Sequence, residues 1–82
     1  MLLVVRYRTQ EFPSGEKDSL IKNAVGEQHL IAARLEGSAK GLFRVLEFAL
    51  ASREDAYFDA TLLEQLMPNL QIDIEPLLAH SR

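Results

Sequence analysis

Apolar and polar residues alternate along this chain with two different periods, and most of its elements can be read from which period holds where. Leu2–Thr9, LLVVRYRT, is short and rich in β-branched residues, which predicts a strand. Alternation puts Leu3, Val5 and Tyr7 on one face and Leu2, Val4, Arg6 and Arg8 on the other. Pro13-Ser14-Gly15 marks a turn between residues 10 and 15. Behind Asp18 or Ser19 as cap, Leu20, Ile21, Ala24 and Val25 fall at helical spacing, which predicts a short helix ending near Gly26. Gln28–Glu36 fits both periods. It reads as a strand with Ile31, Ala33 and Leu35 on one face, or as a continuation of the helix through Leu20, Ala24, Gln28, Ile31 and Leu35 with Gly37 as its stop.

Gly37-Ser38-Ala39-Lys40-Gly41 predicts a connection of hairpin length. After it, Gly41–Ser52, GLFRVLEFALAS, is the most apolar continuous stretch of the chain. As a strand it is apolar on both sides, which suits a central position in a sheet; as a helix its apolar arc is wide, and periodicity alone does not separate the two. Ser52 with Asp55 three residues on predicts a helix start. That helix runs to Met67, where Pro68 stops it, with an apolar arc of Phe58, Leu62, Leu63, Leu66 and Met67 interrupted by Asp59, which is the alternative cap if the helix starts later. Leu70–Glu75, LQIDIE, alternates cleanly and predicts a half-buried strand.

Two architectures accommodate these elements. The first is an α+β, ferredoxin-like βαββαβ sandwich, a four-stranded antiparallel sheet with two helices on one face. The second is β-α-α-α-β, with a two-stranded sheet made from the termini, which is marginal on its own. The sandwich is preferred because it makes the first and third strands central, and these are the most apolar. It also leaves one sheet face without helices. On that face we expect Leu2, Val4, Leu30 and Ala32, joined by either Leu42, Leu46 and Phe48 or by Phe43 and Val45. The apolar set Leu2, Val4, Leu42, Leu46 and Phe48 is the candidate dimer face, since an open patch of that size calls for a cover. Arg6 and Arg8 are expected to pair across the sheet with Asp73 and Glu75.

Length and composition narrow the functional classes. The 82 residues make one domain, residues 1–82. With no cysteine, disulfides and thiolate metal sites are excluded. Arg6 and Arg8 break the apolar start, so no secretory signal is expected, and no stretch reaches the length of a membrane span; we expect a cytoplasmic protein. Residues 1–44 carry seven Lys/Arg against five Asp/Glu, while residues 45–82 carry two against seven. The acidic second half argues against a nucleic-acid binder.

Candidate chemistry is sparse. A metal site would need His29 and His80 to converge with carboxylates, and we expect neither metal nor cofactor. The 37–41 loop lacks the Gly-Lys-Ser/Thr ending of a phosphate cradle. The acids Glu54/Asp55 suit a helix N-terminus, and they and Asp73/Glu75 would do acid–base work only if buried and perturbed. Ser14, Ser19, Ser38 and Ser52 sit at turns or caps with no base nearby in sequence. Arg6, Arg8, Arg34 and Arg44 are the candidate binding residues, able to grip an anion if they converge.

The segment Phe48–Tyr57, FALASREDAY, resembles the strand-to-helix junction of the dimeric α+β barrel proteins, and Met1–Arg8 resembles their first strand. The resemblance spans about a fifth of the chain and includes no active-site residue of that group. It implies ferredoxin-like units paired through their sheets. Three functions follow as expectations. The first is a non-enzymatic protein–protein interaction or regulatory module, homodimeric through its sheet. The second is a small-ligand-binding or catalytic barrel of the dimeric type, with a cleft between sheet and helices; a buried polar cavity lined by Arg44 or Glu47 would favour it, and a solid core there would dismiss it. The third is a nucleic-acid-binding regulator, through the open sheet face or as a ribbon-helix-helix dimer using Arg6, Arg8 and Gln10.

Overall fold

A computed structural model describes residues 1–9 and 15–76. The turn predicted between residues 10 and 15, apart from Gly15, the tail 77–82 with His80, and Gln10 and Ser14 lie outside the described residues. In chain order the elements are β1 (Leu2–Thr9), α1 (Gly15–Val25), a single 3-10 turn (Glu27–His29), β2 (Leu30–Ser38), β3 (Gly41–Ala49), α2 (Arg53–Leu66) and β4 (Gln71–Glu75). The four strands form one antiparallel sheet in the order β2-β3-β1-β4, with both helices on one face. This is the ferredoxin-like sandwich, and the β-α-α-α-β alternative is overturned.

The ambiguous segments resolve as strands for physical reasons. Helical continuation past α1 fails at Gly26, whose φ of 108° leaves the helical region. Gly37, read as a helix stop, lies inside β2. The expected five-residue connection contracts to Ala39-Lys40, because Ser38 and Gly41 already pair across the hairpin. Gly41 takes the positive φ, 131°, that closes this loop; among the described residues no side-chain-bearing residue does so.

β3 lies between β1 and β2, and its two apolar faces serve two clusters. Leu46 and Phe48 join Leu3, Val5 and Tyr7 under Ile21 and Val25 of α1 and Ala56, Ala60 and Leu63 of α2. Val45 joins Leu2 and Val4 on the other side. Phe48 is fully buried; burying such a side chain is worth about 2–3 kcal/mol against leaving it in water.

The helices depart from their predicted faces. α1 begins at Gly15 rather than behind Asp18 or Ser19, so Asp18 is not a cap but an interior helical residue on the buried stripe with Ile21 and Val25. In α2, Ser52 caps as predicted, its Oγ accepting the Asp55 N–H at 3.1 Å. Of the predicted arc, Leu63 is buried and Met67 packs against the core, but Ala56 and Ala60 supply the rest of the buried stripe. Phe58 and Leu66 are left outside.

Candidate functional site

Polar side chains between helices and sheet gather around Asp18, which is only 8% exposed. Tyr7, on the helix side of β1, donates its hydroxyl to Asp18 Oδ1 at 2.5 Å. Arg44, from β3, donates from Nε to Asp18 Oδ2 at 3.1 Å, and its Nη2 stands 3.0 Å from the same oxygen. The carboxylate therefore accepts from two donors on neighbouring strands, the buried Tyr7 and the partly buried Arg44. Among the described residues no buried side-chain nitrogen or oxygen lacks a hydrogen-bond partner. Both oxygens of the Asp18 carboxylate are thus bonded within the cluster. Asp18 stands three and seven residues before Ile21 and Val25, the helical spacing that puts it on their buried face.

The four candidate arginines do not converge. Pairing of β1 with β3 sets Arg6 opposite Val45, Arg8 opposite Phe43 and Tyr7 opposite Arg44, so Arg44 faces the helices while Arg6 and Arg8 face away. Arg34, opposite Val45 on β2, shares the open face with them. Each has an internal partner. Arg34 Nη1 reaches Glu47 at 2.6 Å and its Nε reaches Glu36 at 2.8 Å, while Arg6 lies 3.5 Å from Glu36. Arg8 donates to the Lys40 carbonyl and lies over the Phe43 ring, 5.7 Å from its centroid. The Arg34 hydrogen bond holds the Glu36 carboxyl below its ordinary pKa, and bonds to Glu47 and then Glu36 raise that of Arg34. Exposed pairs of this kind contribute little stability each; Arg6 and Arg34 flank Val45 from the two neighbouring strands.

The expected pairing of Arg6 and Arg8 with Asp73 and Glu75 does not form. Register sets Asp73 opposite Val4, Glu75 opposite Leu2 and Gln71 opposite Arg6, so the acids lie toward the wrong end of β1.

The candidate dimer face is likewise split. Leu46 and Phe48 are core residues beneath the helices, and Leu42 shares their side of β3, whereas Leu2 and Val4 face away. The side of β3 that accompanies Leu2 and Val4 is the one bearing Phe43 and Val45. Leu30 also moves to the helix side, because a bulge between Leu30 and Ala32 shifts the alternation of β2 by one residue. Leu2, Val4 and Val45 are at most 5% exposed within the single chain. The open face is therefore not the apolar patch expected of it.

Exposed large apolar side chains occur elsewhere. Phe58 on α2 is 70% exposed, and Tyr57 and Leu66 on α2 and Leu20 on α1 are each about half exposed. Ile31, in the bulge, and Leu35 are the other two, both on the edge strand β2. A groove of about 410 Å³ runs between α2 and β4, lined by Tyr57, Thr61, Glu64, Ile72, Asp73 and Ile74. Another, of about 820 Å³, opens at the end of the sandwich between Lys17, Leu20, Leu66 and Asn69. Neither is lined by Arg44 or Glu47, the residues the small-ligand expectation named. Asp59 lies half-buried on the flank of α2; burial, then the nearby Asp55, pushes its carboxyl above the ordinary range, and His29 opposes the shift.

Among the described residues no three His, Asp or Glu side chains gather as a metal site, and no helix is long and apolar enough to cross a membrane. No family model matches the chain, and neither a curated protein nor a solved structure matches it.

Proposed function

We propose that this protein is a non-enzymatic protein–protein interaction module that meets its partner with the outer surface of α2 rather than with the open sheet face. The observation that supports this is the placement of large apolar side chains. Tyr57 and Phe58 stand in water side by side on α2 and line a shallow groove with Thr61, Leu62 and Gln65, whereas Leu2, Val4 and Val45 of the expected sheet-to-sheet face are already buried. Clustered apolar exposure of that kind marks interaction surfaces, and aromatic side chains are the usual anchors. The partner is taken to be another protein and not a second copy, because Glu54, Asp55, Asp59 and Glu64 make α2 strongly acidic against the single Arg53. Two such helices would repel each other.

The test is selection of a displayed random peptide library on the full chain, with the Tyr57→Ser/Phe58→Asp variant as the counter-target. The expected result is a set of enriched peptides that lose binding to the variant. A library that enriches nothing, or enriches the same peptides on both proteins, would overturn the proposal.

A further inference from the structure

We propose that the outer edge of β4, with the flank of α2 beside it, takes up an extended segment of a partner protein in which basic and apolar residues alternate, added to the sheet as a fifth strand. This rests on the interaction reading above and names the ligand class and the place it binds.

Among the described residues β4 borders the sheet, paired with β1 alone. Its other edge therefore presents backbone donors and acceptors in the extended geometry that an added strand requires. The opposite border, β2, is less suited to this, since its bulge at Ile31 breaks the regular spacing of those groups. β4 has no such break, and all five of its residues stay in register with β1.

Side-chain chemistry sets what the added strand must carry. Ile72 and Ile74 pair with Val5 and Leu3 on the helix side and are half-buried, so an incoming strand presents every second residue to the groove beneath Tyr57 and Thr61. Those residues should be apolar and β-branched. The intervening ones lie beside Gln71, Asp73 and Glu75, which are exposed on the other side. Opposite charge across a strand pair is favourable and like charge is not, so these positions call for lysine or arginine. Glu64 at the groove wall adds to the same preference.

The same acids disfavour a second copy as occupant. Antiparallel pairing of β4 with itself over all five residues is centred on Asp73 and sets Asp73 against its own counterpart, and a register centred on Ile74 sets it against Glu75. A basic strand meets no such repulsion in any register.

The experiment uses the full chain labelled with ¹⁵N and a capped peptide of about seven residues, an ordinary strand length, in which lysine and valine alternate. Two controls share its length: one alternates glutamate and valine, and one has the same lysines and valines in separate blocks. The expected result is shift changes confined to Gln71–Glu75 and the Tyr57–Glu64 side of α2, slowed amide exchange along β4, and binding about tenfold weaker for both controls. Asp73→Lys is expected to reverse the order of the lysine and glutamate peptides, with Glu75→Lys as the second reversal should D73K fold poorly. Shift changes on Phe58 and Leu62 that leave β4 untouched would overturn this inference while sparing the interaction reading. Equal binding of the block peptide would overturn it too, by showing attraction without strand register. If neither these peptides nor the library finds a ligand, both proposals fall together.

Discussion

Removing the Asp18 carboxylate is expected to be the most damaging single polar change in this protein. Asp18→Ala removes the acceptor that the Arg44 guanidinium and the Tyr7 hydroxyl share at the helix–sheet interface. Breaking a buried ion pair by deleting one partner costs about 3–5 kcal/mol. Arg44 keeps 17% of its side-chain surface in water, which gives the orphaned charge partial hydration and places the expected loss at the lower end, about 3 kcal/mol. A chain of this length has about 4–12 kcal/mol of stability in all, so the variant should lose a large share of it. At about 4–8 °C per kcal/mol for a domain this small, the melting temperature should fall by at least about 12 °C.

The assay is urea unfolding followed by far-ultraviolet circular dichroism, with the slope m compared across variants to confirm that the transition is the same one. Asp18→Leu combined with Arg44→Met and Tyr7→Phe removes all three polar partners at once. That triple variant should recover at least half of what D18A loses, because apolar replacement of a whole buried ion pair is often neutral or better. Tyr7→Phe alone should cost less, about 1.5 kcal/mol, since Asp18 keeps Arg44. A D18A loss under about 0.5 kcal/mol, or a triple variant no more stable than the sum of its parts, would refute the coupling.

Three further outcomes are expected. Ser52→Ala should cost about 1 kcal/mol, read by the same unfolding curves, because the Asp55 N–H at the start of α2 loses its acceptor. Gly26→Ala should cost about 1–3 kcal/mol, since φ is 108° there and a Cβ would stand 3.0 Å from the His29 ring; thermal melts of G26A give the figure. Asp59→Asn should raise the melting temperature at neutral pH. Burial lifts the folded-state pKa of Asp59 above its unfolded value, so its contribution is fully present below the unfolded value and is lost as pH rises through the folded one. Melts of both proteins should therefore converge at about pH 3, below the ordinary aspartate value, and a gap that stays constant with pH would exclude this cause.

The sheet was legible in the sequence wherever one period dominated. Leu70–Glu75 alternates without exception, and it is β4 from Gln71 onward. The central position of β3 followed from apolarity on both faces. That same property hid which face was which, because Phe43 and Val45 match Leu42, Leu46 and Phe48 in character and the choice is made by register with β1, a tertiary fact. Leu30 was misplaced for a related reason: a bulge shifts the period within a strand and leaves no composition signal. In α2 the error had another source. Hydrophobic size suggested that Phe58, Leu62 and Leu66 face inward, yet a close approach of helix to sheet favours the small side chains of Ala56 and Ala60. Asp18 was read as a cap because aspartate is common there, although its spacing to Ile21 and Val25 already placed it on their face.

Charge asymmetry along the chain becomes an asymmetry in space once the fold is known. From α2 to β4, Arg53 stands against six acids, Glu54, Asp55, Asp59, Glu64, Asp73 and Glu75, and these two elements flank a common groove. On the open face, which Asp73 and Glu75 share, the acids Glu36 and Glu47 are neutralised by Arg34 and Arg6. The unbalanced negative charge therefore lies along α2 and the β4 edge, beside the exposed Tyr57. Such a field speeds encounter with basic partners and deters acidic ones more than it deepens final affinity. Added salt should consequently slow association with a lysine-rich segment while leaving its dissociation nearly unchanged, because the apolar contacts at Tyr57, Ile72 and Ile74 are not screened.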